Sequence, residues 1–123
     1  MWKDSTKELL YEEAIKGTRI RSSKHAACII KKGELLSVGH NQLKTHPMML
    51  KFSNNQNKVY LHAEIDAILN AIRRYGADIL SGSDLYVLRL GKLNQIAFSK
   101  PCETCAKAIE AFGLNSYWTE NET

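Results

Sequence analysis

No apolar run in this sequence approaches the roughly 20 residues a membrane-spanning helix needs, and the N-terminus lacks the apolar core of a signal peptide. A membrane or secreted protein is therefore not expected. Cysteine is scarce: there are 3, which is not an even set. Cys102 and Cys105 form a C-x-x-C pair, and Cys28 sits alone in an apolar, strand-like run. That distribution argues against a disulfide framework and for zinc in a reducing, cytoplasmic compartment. Charge of one sign never accumulates either. Lys and Arg are scattered although the net charge is +4 and the pI is near 9.0. Such a surface is mostly solvated, with room for an anionic ligand, either a phosphate-bearing small substrate or a polynucleotide. There are no repeats and no linker-like break in composition. The 123 residues read as one domain, 1–123, long enough for one hydrophobic core.

What the chain does contain is a regular alternation of elements. Asp4 or Ser5 caps a first helix with Leu9, Leu10, Ala14 and Ile15 as its apolar stripe and Gly17 as its stop. Residues 26–30 read as a buried strand, 31–34 as a turn and 35–39 as the antiparallel partner. Residues 42–60 are polar and irregular, a long connection that either covers a site or is a plain surface insertion. From His62, the residues Ile65, Ile68, Leu69, Ile72 and Tyr75 follow at helical spacing, and Gly76 ends the run. A strand over 85–90, an irregular stretch over 91–100, a helix opening at Pro101 and a last strand over 115–119 complete the chain. In that helix Cys105, Ala106, Ile109 and Phe112 mark the inner face. The order α-β-β-α-β-α-β argues an α/β domain with a mixed sheet.

Two motifs carry chemistry. His62-Ala63-Glu64 and Pro101-Cys102-Glu103-Thr104-Cys105 together give the His-x-Glu and Pro-Cys-x-x-Cys pattern of zinc-dependent nucleobase deaminases. One imidazole and two thiolates are good zinc ligands, and three protein ligands leave a tetrahedral zinc one open position. Both cysteines fall in a first helical turn, where free N–H groups and the helix dipole favour thiolate. Glu64 would handle the protons of water at the open position. Positions i and i+2 of a helix point about 200° apart, so His62 and Glu64 can share one site only if it lies beyond the helix tip. The alternatives are a closed structural zinc site, with His40 or His46 as fourth ligand, and a redox C-x-x-C that leaves His62 and Glu64 unexplained.

On these residues the chain resembles the cytidine deaminase superfamily, in the branch whose first zinc ligand is histidine. The resemblance extends to the strand pair from Ala26-Ala27-Cys28-Ile29-Ile30 to Val38-Gly39-His40-Asn41. It also takes in the helices opening at Leu61-His62-Ala63-Glu64 and at Ser99-Lys100-Pro101-Cys102. Lys44-Thr45-His46-Pro47 is similar to small phage-type, deoxycytidylate-deaminase-like members. The resemblance implies a three-layer α-β-α fold with a mixed sheet, truncated after the fourth strand. It implies His62, Cys102 and Cys105 as zinc ligands and Glu64 as proton shuttle. It also implies Asn41, together with Ala63, as substrate contacts. His25 falls where the family lines the pocket with small or apolar residues; it is a candidate to stack on a base, with a structural histidine as the alternative.

The reading is hydrolytic deamination of a nucleobase, cytosine to uracil in a nucleoside or nucleotide, with Zn2+ as cofactor. Arg19, Arg21, Lys24 and Lys44 are the expected phosphate contacts, and Tyr60, Tyr117 and Trp118 could stack on a base or belong to the core. The rivals are a cytosine or adenine deaminase acting on single-stranded DNA, RNA or tRNA, and a zinc-stabilised binding module without turnover. A homo-oligomer is an expectation from the resemblance alone.

Overall fold

Alternation along the strands divides the core into two halves. In β1 (Lys24–Lys31) and β3 (Asp84–Leu90), Ala26, Cys28, Leu88 and Leu90 are buried with Leu10 and Ala14 of α1 (Asp4–Gly17). The intervening Ala27, Ile29, Leu85 and Val87 face the other way and are buried with Ile65 and Ile68 of α3 (Ala63–Tyr75) and Ala108 and Ile109 of α4 (Glu103–Ala111). A period of two thus hands one set of side chains to each helical layer. The expected three-layer α-β-α arrangement is what the computed structural model shows for residues 2–17, 24–42, 47–52 and 61–120, those it describes.

The sheet is mixed. β2 (Glu34–His40) and β3 flank β1, both antiparallel to it. The outer edge of β3 is shared by two short strands. β5 (Asn115–Trp118) runs parallel along 84–87, and β4 (Ile96–Ala97) runs antiparallel at 89–90.

Several boundaries differ from the sequence-based expectations. The stretch read as irregular over 42–60 contains a short helix, α2 (Pro47–Phe52), whose Met49 is buried in the core. The other irregular stretch, 91–100, contains β4. Gly91 N–H donates to Gln95 O, Asn94 adopts φ 59°, and the chain doubles back onto β3, so the final strand is the fifth rather than the fourth. α4 opens at Glu103 instead of Pro101. Ile15 and Tyr75 are exposed, as is Ala106, because the buried stripe of α4 runs through Cys105, Ala108 and Ile109.

What positions the site is the seam between β2 and α3. A Cβ at Gly39 would lie 2.8 Å from Ala67 Cα and closer still to Ala67 N and Ala63 O, so only glycine lets the strand run this close to the helix. Ser37 Oγ donates to Ala67 O (2.8 Å), Asn70 Nδ2 to Val38 O (2.8 Å) and His40 N–H to Asp66 Oδ2 (2.9 Å). Gln42 N–H then donates to Leu61 O (2.8 Å), which brings the end of β2 alongside the residue before His62.

Candidate metal centre

Both motif helices begin one residue after a sulfur or nitrogen donor. His62 is the N-cap of α3, extended at φ −79° and ψ 155°, and Cys102 is the N-cap of α4, at φ −67° and ψ 171°. His62 therefore lies outside the helix that carries Glu64, and the 200° conflict expected within a helix does not arise.

His62 Nδ1 lies 3.3 Å from Cys105 Sγ and 3.5 Å from Cys102 Sγ. All three donor atoms fall within 4.8 Å of one another. A tetrahedral zinc with Zn–S near 2.3 Å and Zn–N near 2.0 Å requires N to S separations of about 3.5 Å. The donor set and its spacing fit zinc. Among the described residues no fourth ligand joins the group. His40 Nε2 instead lies 2.9 Å from Glu13 Oε1 of α1, and His46 is outside the described residues.

The protons of the cluster are strongly redistributed. The Cys105 thiol, donating to Cys102, pulls the Cys102 sulfur down to about 3, helped by His62 and by the Cys105 backbone N–H. The same bond, together with burial, pushes Cys105 well up, so the two sulfurs hold one proton between them. His62 is raised chiefly by its hydrogen bond to Cys102. Glu64 is 4% exposed, and burial raises it. Its own backbone N–H, the His62 charge and the Cys105 thiol pull in the opposite direction. The carboxylate therefore sits against the donor trio.

The loop carrying Cys102 is tied down by a buried hydroxyl pair that sequence reasoning missed. Ser99 Oγ donates to Val87 O (2.8 Å) and accepts from Thr119 N–H (2.7 Å), while Thr119 Oγ1 donates to Ala97 O (2.6 Å). These bonds stitch the ends of β4 and β5 to β3. A serine and a threonine among strand residues give no signal of this in the sequence.

The other expected site residues divide. Asn41 is buried, and its Oδ1 accepts the His25 backbone N–H (3.1 Å), so these two are brought together. Ala63 is fully buried where α3 meets Gly39. Lys24 is not at the site. It shares the α1 face with Ala26, and its Nζ donates to Asn94 Oδ1 (2.7 Å). Tyr117 stacks on Tyr86 at 4.9 Å, in the α1 layer and away from the donors. Trp118 packs on the α3/α4 core with Lys100 Nζ 5.6 Å from its ring. Arg19, Arg21, Lys44 and Tyr60 lie outside the described residues. One functional candidate was passed over: Arg89, a charge inside the otherwise apolar run from Leu85 to Leu90, which was itself the available signal.

Residues 1–119 match the family profile described as the cytidine and deoxycytidylate deaminase zinc-binding region. No curated protein sequence matches the chain at a significant level. Among solved structures, the apo dCMP deaminase of cyanophage S-TIM5 is similar at 25% identity and TM-score 0.58, over 97% of this chain and 86% of that one. The same phage enzyme in complex with dCMP and dUMP is similar at 23% identity and TM-score 0.56, over 96% and 83%. The guanine deaminase of Bacillus subtilis shares the fold at 22% identity and TM-score 0.58, over 97% of this chain and 65% of that one. No described helix is long and apolar enough to cross a membrane.

Proposed function

The chain belongs to the cytidine and deoxycytidylate deaminase zinc-binding family, and from that premise we propose that it hydrolyses the exocyclic amine of cytosine in a nucleotide. The observation that carries this reading is the buried Glu64 carboxylate set against an imidazole and two sulfurs spaced for zinc. His62, Cys102 and Cys105 would hold the ion, with the two sulfurs as thiolates that balance its charge. Zinc held there supplies the Lewis acidity that makes water nucleophilic near neutral pH. The side chains do the rest. Glu64 takes a proton from the attacking water and passes it to the ring nitrogen beside the amine-bearing carbon. It then moves the second proton of the water to the departing amine, so that cytosine and water become uracil and ammonia. Burial keeps that proton from exchanging with solvent and favours a carboxyl group able to hold it. Asn41, anchored against His25 at the end of β2, contacts the sugar or base.

The cytosine assignment is supported by the similarity to the phage dCMP deaminase. The test is incubation of zinc-loaded protein with deoxycytidine, dCMP, guanine and a short oligodeoxycytidylate, read by mass spectrometry. The expected result is a one-dalton gain on dCMP. Conversion of guanine alone, or of the oligonucleotide alone, would overturn the substrate, and conversion of none would overturn the activity.

A further inference from the structure

Resting on that reading, we propose that Arg89 receives the phosphate monoester of the substrate, so that the site selects a mononucleotide over a nucleoside. The placement follows from the sheet. Leu88 and Leu90 are buried with α1 and Val87 with α3 and α4, so alternation turns Arg89 to the α3/α4 side, where the donor trio lies. Register sets its neighbours. Arg89 pairs with His25 of β1, and His25 N–H is bonded to Asn41 Oδ1 just beyond β2. Asn41, His25 and Arg89 thus form a row across three strands, at the end of the sheet where Gln42 meets Leu61 beside His62. Neighbouring strands lie about 4.8 Å apart, which puts Arg89 about 10 Å from Asn41. A nucleoside monophosphate bridges that separation when its sugar or base lies at Asn41.

Among the described residues the charge on Arg89 has no partner. Its Nε is buried without a hydrogen bond, and among the described residues no carboxylate pairs with the guanidinium. Outside the described residues the only acidic residue is Glu122. A half-buried cation without an anion is unfavourable, and the forked guanidinium fits phosphate oxygens closely. Base and sugar are neutral, so the phosphate is the part of the substrate that supplies the missing charge. Lys24, the cation expected nearby, is committed to Asn94 on the opposite face.

The test measures binding of dUMP and deoxyuridine to zinc-loaded protein by calorimetry, alongside a short oligothymidylate, so that it does not depend on turnover. Relative to the unaltered protein, Arg89→Met should weaken dUMP about 10- to 100-fold and leave deoxyuridine unchanged, with Arg89→Lys intermediate. With dCMP as substrate, KM should rise by the same factor while kcat is retained. Equal weakening of dUMP and deoxyuridine, or no weakening of dUMP, overturns the proposal. So does a loss confined to the oligonucleotide, whose phosphates are diesters. Should Arg89→Met not fold, the Arg89→Lys comparison and competition of dUMP by inorganic phosphate decide the same question. A protein that deaminates nothing but discriminates dUMP from deoxyuridine through Arg89 would sink the proposed reaction and leave this inference standing.

Discussion

His62 and Cys102 each sit one residue outside a helix, and that offset lets their side chains meet beyond the helix tips beside Glu64. Replacing Glu64 by Gln keeps the shape and removes the base. The variant should bind zinc as the unaltered protein does and lose at least about 100-fold in kcat, since general acid–base groups contribute roughly 10²–10⁴. Zinc content by atomic absorption and ammonia release by a coupled assay test this, and comparable ammonia release would remove Glu64 from the role. The sulfurs give a second, pH-dependent expectation for metal-free protein. Cys102, held near 3, is thiolate at pH 5, where an ordinary thiol near 9.0 is protonated. Cys28, pushed up to about 12 by burial, stays a thiol throughout. Iodoacetamide at pH 5 should therefore label Cys102 first and spare Cys28, with bound zinc protecting Cys102. Peptide mapping that found Cys28 labelled first would contradict the assignment.

The contact between β2 and α3 is the element that holds His62 in place. Gly39→Ala puts a methyl group into the backbone of Ala63 and Ala67, and α3 cannot give way without moving His62. The expected cost is about 2–3 kcal/mol in urea unfolding, with weakened zinc binding. A stable variant that binds zinc normally would show that the seam is softer than its geometry. On the other side, Ser99→Ala leaves Val87 O and Thr119 N–H without their buried partner and should cost about 1–3 kcal/mol, measured the same way. These two seams also mark the limit of what could be read from the chain. The strand pair, the long helices and the donor trio were legible because periodicity and ligand spacing are local. The α2 helix, β4 and the start of α4 were not, since each depends on a short segment packing against distant residues. Gly39 reads in the sequence only as the end of a strand and as part of a resemblance. Its reason is the backbone of a helix two dozen residues on. Lys24 was misplaced because basic character reveals no face until the strand register is known.

At the scale of the molecule, the donor trio joins parts of the chain 40 residues apart, His62 and Cys102, so bound metal is also a cross-link in the fold. An unfolded chain has no preformed site, and the binding free energy therefore appears as stability. With free zinc about 1,000-fold above its dissociation constant the gain is about 4 kcal/mol, or on the order of 15 °C in Tm. Differential scanning fluorimetry with and without a chelator should show that difference, and a Tm indifferent to zinc would mean the trio does not bind it. Strand β3, with one edge divided between β4 and β5, is also the part of the sheet completed last. On the ribosome, His62 emerges long before its sulfur partners, and β5 is translated after both cysteines. Until β5 docks, residues 84–87 of that edge are unpaired, a ready template for a strand of another chain. A change that keeps β5 from docking would thus open this protein to strand pairing with its own copies.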